Sequence, residues 1–350
     1  MKKRVAVVGA TGIAGQQFLV ALENHPWFDV VMLAASERSA GKSYGEAIRD
    51  ATTGARRWWC VEEPPAAFVN LPVRNGDGLD VSGIDIVFTA VESDAARVLE
   101  PQYAKTSAVV STASAFRYED DVPIMVPGVN FAHAAQVEVQ RRQRGWRGFI
   151  IPLPNCTAMG LAITLKPLVD RFGVQRVVMT SMQGISGAGR SPGVVALDIV
   201  DNVIPYIPGE EEKVARETGK ILGTTFPVSA TCTRAAVTEG HTESVAASLS
   251  TAATPADVIA AFRDFGSELA SLRLPSAPRR WITVQDDPFR PQPRLDRDAD
   301  GGMTTTVGRV RPDEALENGV KYVLVSHNTK MGAAKGAVLT AEYLVTAGLC

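Results

Sequence analysis

Short apolar runs rich in β-branched residues recur through the first third of the chain, separated by glycine turns and helical patterns. The runs that predict strands are residues 5–8, 30–35, 84–90 and 108–111. Residues 9–15 form a glycine turn, after which Phe18, Leu19 and Leu22 mark one face of a helix. Residues 41–83 are rich in Gly, Pro and Trp and predict only fragments of sheet. Because strands alternating with helices form parallel sheets, this part predicts a Rossmann-type unit.

The pattern changes near residues 152–154. We predict a helix from about Cys156, with Pro167 ending or kinking it near its last turn. Further strands are predicted over residues 174–183, 244–250, 303–310 and 322–326. Residues 277–302, crowded with Pro, Arg and Asp, predict an extended connection, and residues 333–345 predict a final helix. The predicted fold class is α/β: a Rossmann-type dinucleotide-binding domain plus a second, α+β domain.

Length and composition narrow the class of protein. At roughly 150 residues per domain, 350 residues predict two domains, with one large α/β barrel as the alternative. Hydrophobic residues at 45% and charged residues at 21% are ordinary for a soluble globular protein. The formal charge of −2 gives no sign of a nucleic-acid-binding surface. No apolar run reaches the ~18 residues of a membrane helix, so we expect a cytoplasmic protein that binds no membrane.

The glycine turn is the first candidate site. Glycines spaced three apart between a strand and a helix let the backbone approach a pyrophosphate, although a tight turn without a ligand is the alternative. After the second strand, Ser36, Arg38 and Ser39 suit a 2′-phosphate, so we predict NADP; Glu37 alone would favour a free ribose. The predicted cofactor contacts in this region are Gly9, Thr11, Gly12, Ile13, Ser36, Arg38 and Ser39.

Cys156 is the candidate nucleophile, because it opens a helix at the domain junction and a helix N-terminus favours the thiolate. An isolated cysteine is otherwise a small buried hydrophobe, which is the interpretation we give the remaining cysteines, Cys60, Cys232 and Cys350. The cysteines lie far apart without a CxxC pair, so we expect neither a disulfide framework nor a metal site.

His241 is the candidate partner of the thiol, in a segment just before a strand, where a loop could present it to a cleft. Of the other histidines, His25 is interpreted as structural, His133 as exposed, and His327 as a packing residue or a loop contact. Arg234 lies seven residues before His241 and could bind a carboxylate, although a solvated surface charge is the alternative for any single charged residue.

These residues converge on a family. The chain resembles the aspartate-semialdehyde dehydrogenases of the branch found in archaea and fungi, over nearly its full length. The matching segments are GATGIAGQQF (9–18), LAASERSAGK (33–42), ASAFR (113–117), PNCTAMGL (154–161), SGAG (186–189), LDIVDNVIPYIPGEEEK (197–213), EGHTESV (239–245), GGM (301–303) and SHNTKMGAAKGA (326–337).

The resemblance implies a role for each matching residue. Cys156 would be acylated, His241 would be the general acid/base, and Gln183 would orient the acyl group. Arg234 would bind the substrate carboxylate and Glu210 its amino group. The remaining implied roles are phosphate binding by Arg117 and Lys213 and an NADP contact by Asn328. The domains would be 1–155 for NADP, completed by a C-terminal helix at 331–350, and 156–330 for catalysis and dimerisation, in a homodimer or homotetramer.

Several positions depart from the family pattern. Thr112 stands where the family usually has Asn, Gly128 where it has Glu, and Arg190 where it has an aromatic residue. In addition, Ala235 and Ala236 replace Val-Pro, and Glu239 replaces an Asp. Arg190 and Gly128 bear on the substrate pocket, so the resemblance specifies the reaction type more closely than the substrate.

The implied reaction is the NADPH-dependent conversion of L-aspartyl-4-phosphate to L-aspartate-4-semialdehyde and phosphate through a thioester on Cys156, within lysine, threonine and methionine biosynthesis. One alternative is an NADPH-dependent acyl-CoA reductase, such as a malonyl-CoA reductase, which needs the same thiol but a larger pocket. The other alternative is a non-catalytic, regulatory NADP-binding protein, against which the joint presence of Cys156, Gln183, Arg234 and His241 argues.

Overall fold

The structure is a computed structural model that describes residues 2–189 and 193–350. Its strands are β1 (Lys3–Val8), β2 (Phe28–Ala35), β3 (Val73–Asn75), β4 (Ile86–Thr89), β5 (Ala108–Ser111), β6 (Phe149–Pro152), β7 (Val174–Gln183), β8 (Val203–Ile204), β9 (Val228–Ala235), β10 (His241–Leu249), β11 (Ile282–Gln285), β12 (Thr305–Asp313) and β13 (Gly319–Ser326). Its helices are α1 (Ile13–Leu22), α2 (Tyr44–Ala47), α3 (Ala66–Val69), α4 (Ser93–Ala104), α5 (Gln136–Arg144), α6 (Cys156–Phe172), α7 (Ala196–Ile199), α8 (Glu210–Leu222), α9 (Pro255–Asp264), α10 (Pro293–Asp296) and α11 (Ala334–Thr346). Short 3₁₀ turns cover Phe131–Ala135, Ile185–Ala188, Ser267–Leu272 and Ala299–Gly302.

The chain divides into two compact units. The first contains residues 1–125, 132–153 and 333–350, and the second contains residues 126–131 and 154–332. The predicted fold class, a Rossmann-type domain plus an α+β domain, is confirmed.

The first unit is built on a six-stranded sheet in the order β3-β2-β1-β4-β5-β6, and every neighbouring pair is parallel. Its central strands β1, β4 and β5 are almost entirely buried, as expected of strands covered by helices on both faces. Strand order reverses between β1 and β4, which is where doubly wound sheets place their ligands. The glycine turn follows β1 at this point.

The four strands predicted for the first unit are present, and the sequence missed one further strand, β6, at a sheet edge. β6 pairs with β5 at one edge of the sheet and ends in Pro152. A proline in a strand is tolerated at an edge, where its missing N–H leaves no ladder bond unmade. β3 is three residues long and lies inside the region that predicted fragments of sheet.

The second unit is built on a seven-stranded mixed sheet in the order β11-β12-β13-β10-β7-β9-β8. Along β7, Val177, Met179 and Gln183 are buried whereas Val178 and Met182 are exposed, so one face of the sheet carries the core and the other faces outward. Helix α6 packs on β7, β10, β12 and β13.

Two predictions for the second unit need correction. Pro167 does not end helix α6, which continues to Phe172, because Leu165 and Leu168 are both fully buried and their packing offsets the lost backbone bond. Residues 277–302 are not one extended connection, since they contain β11, which pairs in parallel with β12, and the short helix α10. The Pro-rich composition concealed both elements.

Gly15 tests the packing of the glycine turn. A Cβ at this position would overlap the carbonyl oxygen of Gly9, whereas a Cβ at Gly12 would meet only that oxygen at 3.5 Å. We expect Gly15→Ala to lower the free energy of unfolding by about 1–3 kcal/mol, and the control Gly12→Ala to change it by less than ~0.5 kcal/mol. Chemical denaturation of both ligand-free variants measures this, and equal stabilities would contradict the described packing.

Candidate active site

Cys156 is the first residue of α6, and the residue before it caps the helix. The side-chain oxygen of Asn155 accepts hydrogen bonds from the backbone N–H groups of Thr157 and Ala158, at 2.9 and 3.3 Å. An N-cap of this kind fixes the first turn of the helix. Cys156 lies at a helix start, as the sequence predicted, and it is half-buried.

The sulfur of Cys156 lies 3.0 Å from Nε2 of His241. The sequence brought these residues together as a candidate pair, but it misplaced the histidine. His241 is the first residue of β10 and pairs with Ser326 of β13, so it is held by the sheet and not by a loop. The isolated His within the segment EGHTE gave no strand pattern, which explains the error.

The second ring nitrogen of His241 identifies the tautomer. The backbone N–H of Gly184 donates to Nδ1 of His241 at 3.1 Å. Because Nδ1 accepts this bond, the proton of the neutral ring is on Nε2, where it points at the sulfur. Burial, followed by the nearby charges of Arg234 and His327, lowers the pKa of His241 from its ordinary 6.5 to about 3. The site therefore holds a neutral imidazole that donates toward sulfur.

Gly184 also anchors the candidate carboxylate-binding residue. Nη1 of Arg234 donates to the carbonyl oxygen of Gly184 at 2.8 Å, and the arginine side chain is buried. Burial lowers the pKa of Arg234, and Cys156 and Glu210 act in the opposite direction. Arg234 thus lies within electrostatic reach of both the sulfur and a carboxylate. It pairs in register with Gln183, which is 1% exposed.

Gly187, within the SGAG segment, lies against two of the candidate site residues. A Cβ there would lie 3.0 Å from Nη1 of Arg234 and 3.4 Å from Cε1 of His241. The 3₁₀ turn that contains Gly187 therefore packs directly on both side chains. The SGAG motif was the available signal.

Helix α8 contributes the next group. Oε1 of Glu210 accepts a hydrogen bond from Nδ2 of Asn155 at 2.6 Å, so one oxygen of the candidate amino-binding carboxylate is already engaged beside Cys156. Lys213 lies three residues further along the same helix and is half-buried. Both residues thus come from the first turn of one helix.

Asn328 is held within the second unit at both ends of its amide. Its Oδ1 accepts from the backbone N–H of Gly240, and its Nδ2 donates to Ser186, both at 2.8 Å. These bonds tie it to the residue before His241 and to the turn that contains Gly187. The structure thus joins Asn328 to the segments around His241 and Gly187, in addition to the cofactor contact that the resemblance implied.

The glycine turn of the first unit has the geometry of an anion site. Gly9 has φ +84°, and a Cβ there would overlap the backbone of Ala90. Gly12 is the N-cap of α1 and is exposed, and as a glycine it has no side chain to occupy the N-terminal amides. Ser36 and Arg38 are exposed after β2, whereas Ser39 is buried. The side chains of Ser36 and Arg38 are therefore more accessible to a ligand than that of Ser39.

Comparison with known proteins identifies the family. The family models described as semialdehyde dehydrogenase, NAD binding domain, and semialdehyde dehydrogenase, dimerisation domain, match residues 4–137 and 165–331. The aspartate-semialdehyde dehydrogenase of Methanothermobacter thermautotrophicus is 44% identical over 349 residues, covering 97% of this chain and 98% of that protein. The chain belongs to the aspartate-semialdehyde dehydrogenase family. The resemblance stated from sequence is confirmed.

Solved structures of aspartate-semialdehyde dehydrogenases share the fold. The Candida albicans enzyme, crystallised with NADP, matches with a TM-score of 0.88 at 37% identity over 99% of this chain and 100% of that one. Aspartate-semialdehyde dehydrogenase II of Vibrio cholerae, complexed with ASA, matches with a TM-score of 0.78 at 28% identity, over 99% and 98% of the two chains.

Three of the departures from the family pattern have a structural account. Oγ1 of Thr112 donates to the carbonyl oxygen of Thr89 at 3.2 Å, which joins the ends of β5 and β4. Gly128 has φ +77°, and a Cβ there would lie 2.7 Å from the ring of Trp281, so a Glu does not fit. Oε1 of Glu239 accepts from Thr329 at 2.7 Å.

The other departures are less informative. Ala235 ends β9 and is half-buried, Ala236 is exposed, and nothing in the structure explains this pair. Arg190 lies outside the described residues.

Arg117 belongs to the first unit and is buried. Its Nε donates to the carbonyl oxygen of Leu153 at 2.8 Å, and its Nη2 donates to that of Thr112 at 3.0 Å. Two main-chain acceptors therefore fix the guanidinium, which is how a protein pre-orients an anion-binding arginine.

The remaining histidines and cysteines partly follow the predictions. His25 is structural as predicted, with Nε2 2.9 Å from Glu342. His133 is half-buried in a 3₁₀ turn, not exposed. Cys232 is buried as predicted, but Cys60 and Cys350 are only half-buried, because both lie outside the regular elements.

Within residues 2–189 and 193–350, no helix has the length and apolar character needed to span a bilayer. The same part of the chain contains no group of three His, Cys, Asp or Glu side chains arranged for a metal ion.

The tautomer of His241 makes a testable prediction. Because its pKa falls to about 3, we expect its C2 proton signal to keep one chemical shift from about pH 5 to about pH 8. The unfolded chain binds a proton between pH 3 and 6.5 that the folded chain rejects, so this group lowers stability as the pH falls through that range. NMR, with His241→Asn for assignment, measures the shift, and a titration centred near 6.5 would contradict the assignment.

Proposed function

We propose that this protein catalyses the NADPH-dependent reductive dephosphorylation of L-aspartyl-4-phosphate to L-aspartate-4-semialdehyde through a thioester on Cys156. The observation that carries the proposal is the 3.0 Å contact between the sulfur, at a helix start, and the proton-bearing nitrogen of His241. A helix N-terminus and a donated hydrogen bond both favour the thiolate, which is the nucleophilic form.

The proposed first step is attack of the Cys156 thiolate on the carbonyl carbon of the acyl phosphate. A C–S bond forms, the C–O bond to phosphate breaks, and inorganic phosphate leaves. The N–H at Nε2 of His241 then lies where it can donate to the substrate oxygen as negative charge develops. Because Nδ1 accepts the Gly184 bond, the ring acts on the substrate through its N–H at Nε2, as a hydrogen-bond donor to the developing negative charge.

When bound, NADPH supplies the hydride that reduces the thioester carbon. Collapse of the resulting thiohemiacetal on Cys156 releases the aldehyde and returns the thiolate. The thioester keeps the acyl carbon attached and activated after phosphate has left, whereas a carboxylate formed by hydrolysis would accept hydride far less readily.

Substrate recognition is assigned to charges of opposite sign near the sulfur. Arg234 would bind the α-carboxylate, and Glu210 would bind the amino group through the oxygen that Asn155 does not use. Gln183, buried at the end of β7, would orient the acyl group. This pairing of cation and anion suits an amino acid better than the carboxylate-only head of malonyl-CoA, so the acyl-CoA alternative is not favoured.

Phosphate binding is proposed for Arg117 and Lys213, each on its own evidence. The guanidinium of Arg117 is pre-oriented by two carbonyl groups. Lys213 lies three residues after Glu210, within the first turn of α8. Both cations would neutralise charge on the leaving group.

NADP is the proposed cofactor because the residues of the first unit fit it. The closely approached backbone at Gly9 and the bare amides at Gly12 suit the pyrophosphate, with Thr11 and Ile13 beside them. Ser36, Arg38 and Ser39 would select the 2′-phosphate, Arg38 by charge. Asn328 would contact the cofactor only while keeping its bonds to Gly240 and Ser186, a further constraint on that role.

A homodimer or homotetramer is proposed from the family and from exposed apolar side chains of the second unit. The second unit matches a dimerisation domain. Large apolar side chains are exposed on it, which a monomer in water would rarely maintain; they are Val178, Met182, Val195, Leu197, Val200, Val203 and Tyr206. We also propose that the first unit binds NADP, that the second carries catalysis and dimerisation, and that the protein acts in the cytoplasm.

A substrate panel tests the function. We expect phosphate-dependent reduction of NADP⁺ with L-aspartate-4-semialdehyde, a slower rate with NAD⁺, and no oxidation of NADPH with malonyl-CoA. Cys156→Ser should lower turnover more than roughly 10³-fold, because the thioester cannot form, while NADPH binding persists. Turnover of malonyl-CoA in place of aspartyl phosphate, or an active Cys156→Ser variant, would refute the proposal. Absence of all turnover with intact NADP binding would favour the regulatory alternative.

A further inference from the structure

The residue before the nucleophile is held by two carboxylates from one helix. Oε2 of Glu217 accepts the backbone N–H of Asn155 at 2.6 Å, and Oε1 of Glu210 accepts its side-chain N–H at the same distance. Glu210 and Glu217 are seven residues apart, two turns of α8, so they lie on one face of the helix. Asn155 is thus bonded to α8 through its backbone and side-chain N–H groups, and to the first turn of α6 through its side-chain oxygen.

Glu217 needs this contact because it is completely buried. Its exposed fraction is 0%, and a buried carboxylate is stable only when its oxygens accept hydrogen bonds. The backbone N–H of Asn155 equally needs an acceptor, since an N-cap residue donates no bond to its own helix and this residue is 8% exposed. The pairing satisfies both groups, and charge makes it a strong bond.

The bond fixes more than the cap. Asn155 is covalently adjacent to Cys156, whose sulfur must stay 3.0 Å from Nε2 of His241. Helix α8 thus sets the position of the helix start on one side, while β10 sets the imidazole on the other. A displacement of about 1 Å in such a pair costs about 10²-fold in rate.

We propose that Glu217 is a positioning residue for the nucleophile, acting through the backbone of Asn155. The proposal rests on the nucleophilic role of Cys156 in the proposed function. It assigns a task to a residue that neither the sequence analysis nor the resemblance singled out, and that lies outside the quoted motifs.

The test compares Glu217→Leu, which removes the acceptor, and Glu217→Gln, which keeps an acceptor oxygen but removes the charge. Glu212→Gln is the matched control, since Glu212 is an exposed glutamate in the first turn of the same helix. Each variant is assayed for kcat, for KM of aspartate semialdehyde and NADP⁺, for thermal stability, and for the pH dependence of Cys156 alkylation by iodoacetamide.

We expect Glu217→Leu to lower kcat about 10²-fold with little change in either KM. In Glu217→Gln, kcat should fall less, and the midpoint of the alkylation profile should move to lower pH, because a negative charge near the sulfur is gone. The other groups around the sulfur, the neutral His241 and the charged Arg234 and Glu210, are unchanged. More thiolate combined with slower turnover identifies a loss of position, which a purely structural role would not produce.

A lower melting temperature with unchanged kcat and an unchanged alkylation profile would overturn the proposal. If Glu217→Leu does not fold, Glu217→Gln decides alone: wild-type kcat and profile overturn the proposal, and the paired change supports it. These outcomes are separate from a failure of the proposed function, which would appear as an active Cys156→Ser variant.

Discussion

The structure of the site depends on one hydrogen bond, from the backbone N–H of Gly184 to Nδ1 of His241. A buried imidazole has two nitrogens and, when neutral, one proton, so a donor at Nδ1 leaves that proton on Nε2. The proton then faces the sulfur of Cys156 at 3.0 Å. The sulfur is consequently the acceptor of this bond, and a donor in this position favours the thiolate over the thiol.

A positive and a negative side chain, Arg234 and Glu210, lie near the Cys156–His241 pair. Arg234 is held by the same Gly184, through the carbonyl oxygen, so one residue fixes both the imidazole and the guanidinium. Its positive charge disfavours an imidazolium and favours a thiolate. Glu210 adds a negative charge and cap support through Asn155. Gly187 fits between these groups because any side chain would meet Arg234 and His241.

Local patterns in the sequence predicted the features that local forces determine. The β-branched runs gave β1, β2, β4 and β5, and the proline-asparagine-cysteine segment gave the start of α6, because strand and capping preferences are encoded within a few residues. Pro152 concealed β6 and Pro167 suggested too early an end for α6, since each proline is tolerated only through its tertiary setting. His241 was placed in a loop because its strand is stabilised by pairing with β13 and β7.

The site itself was only partly predictable for the same reason. Cys156, His241 and Arg234 were nominated by chemistry, but the contacts of Gly184 and Glu217 join residues 57 and 62 positions apart and exist only once the sheet and α8 are formed. The family resemblance implied a role for Glu210 but did not predict its hydrogen bond with Asn155. Long-range backbone contacts of this kind leave no local signal.

Mass spectrometry of the acylated protein tests the central claim most directly. The protein is mixed with L-aspartyl-4-phosphate in the absence of NADPH, quenched in acid and mapped by peptide. The account predicts one aspartyl group, attached as a thioester to Cys156 and to no other cysteine. An unmodified Cys156, or an aspartyl group on Cys60, Cys232 or Cys350, would contradict it.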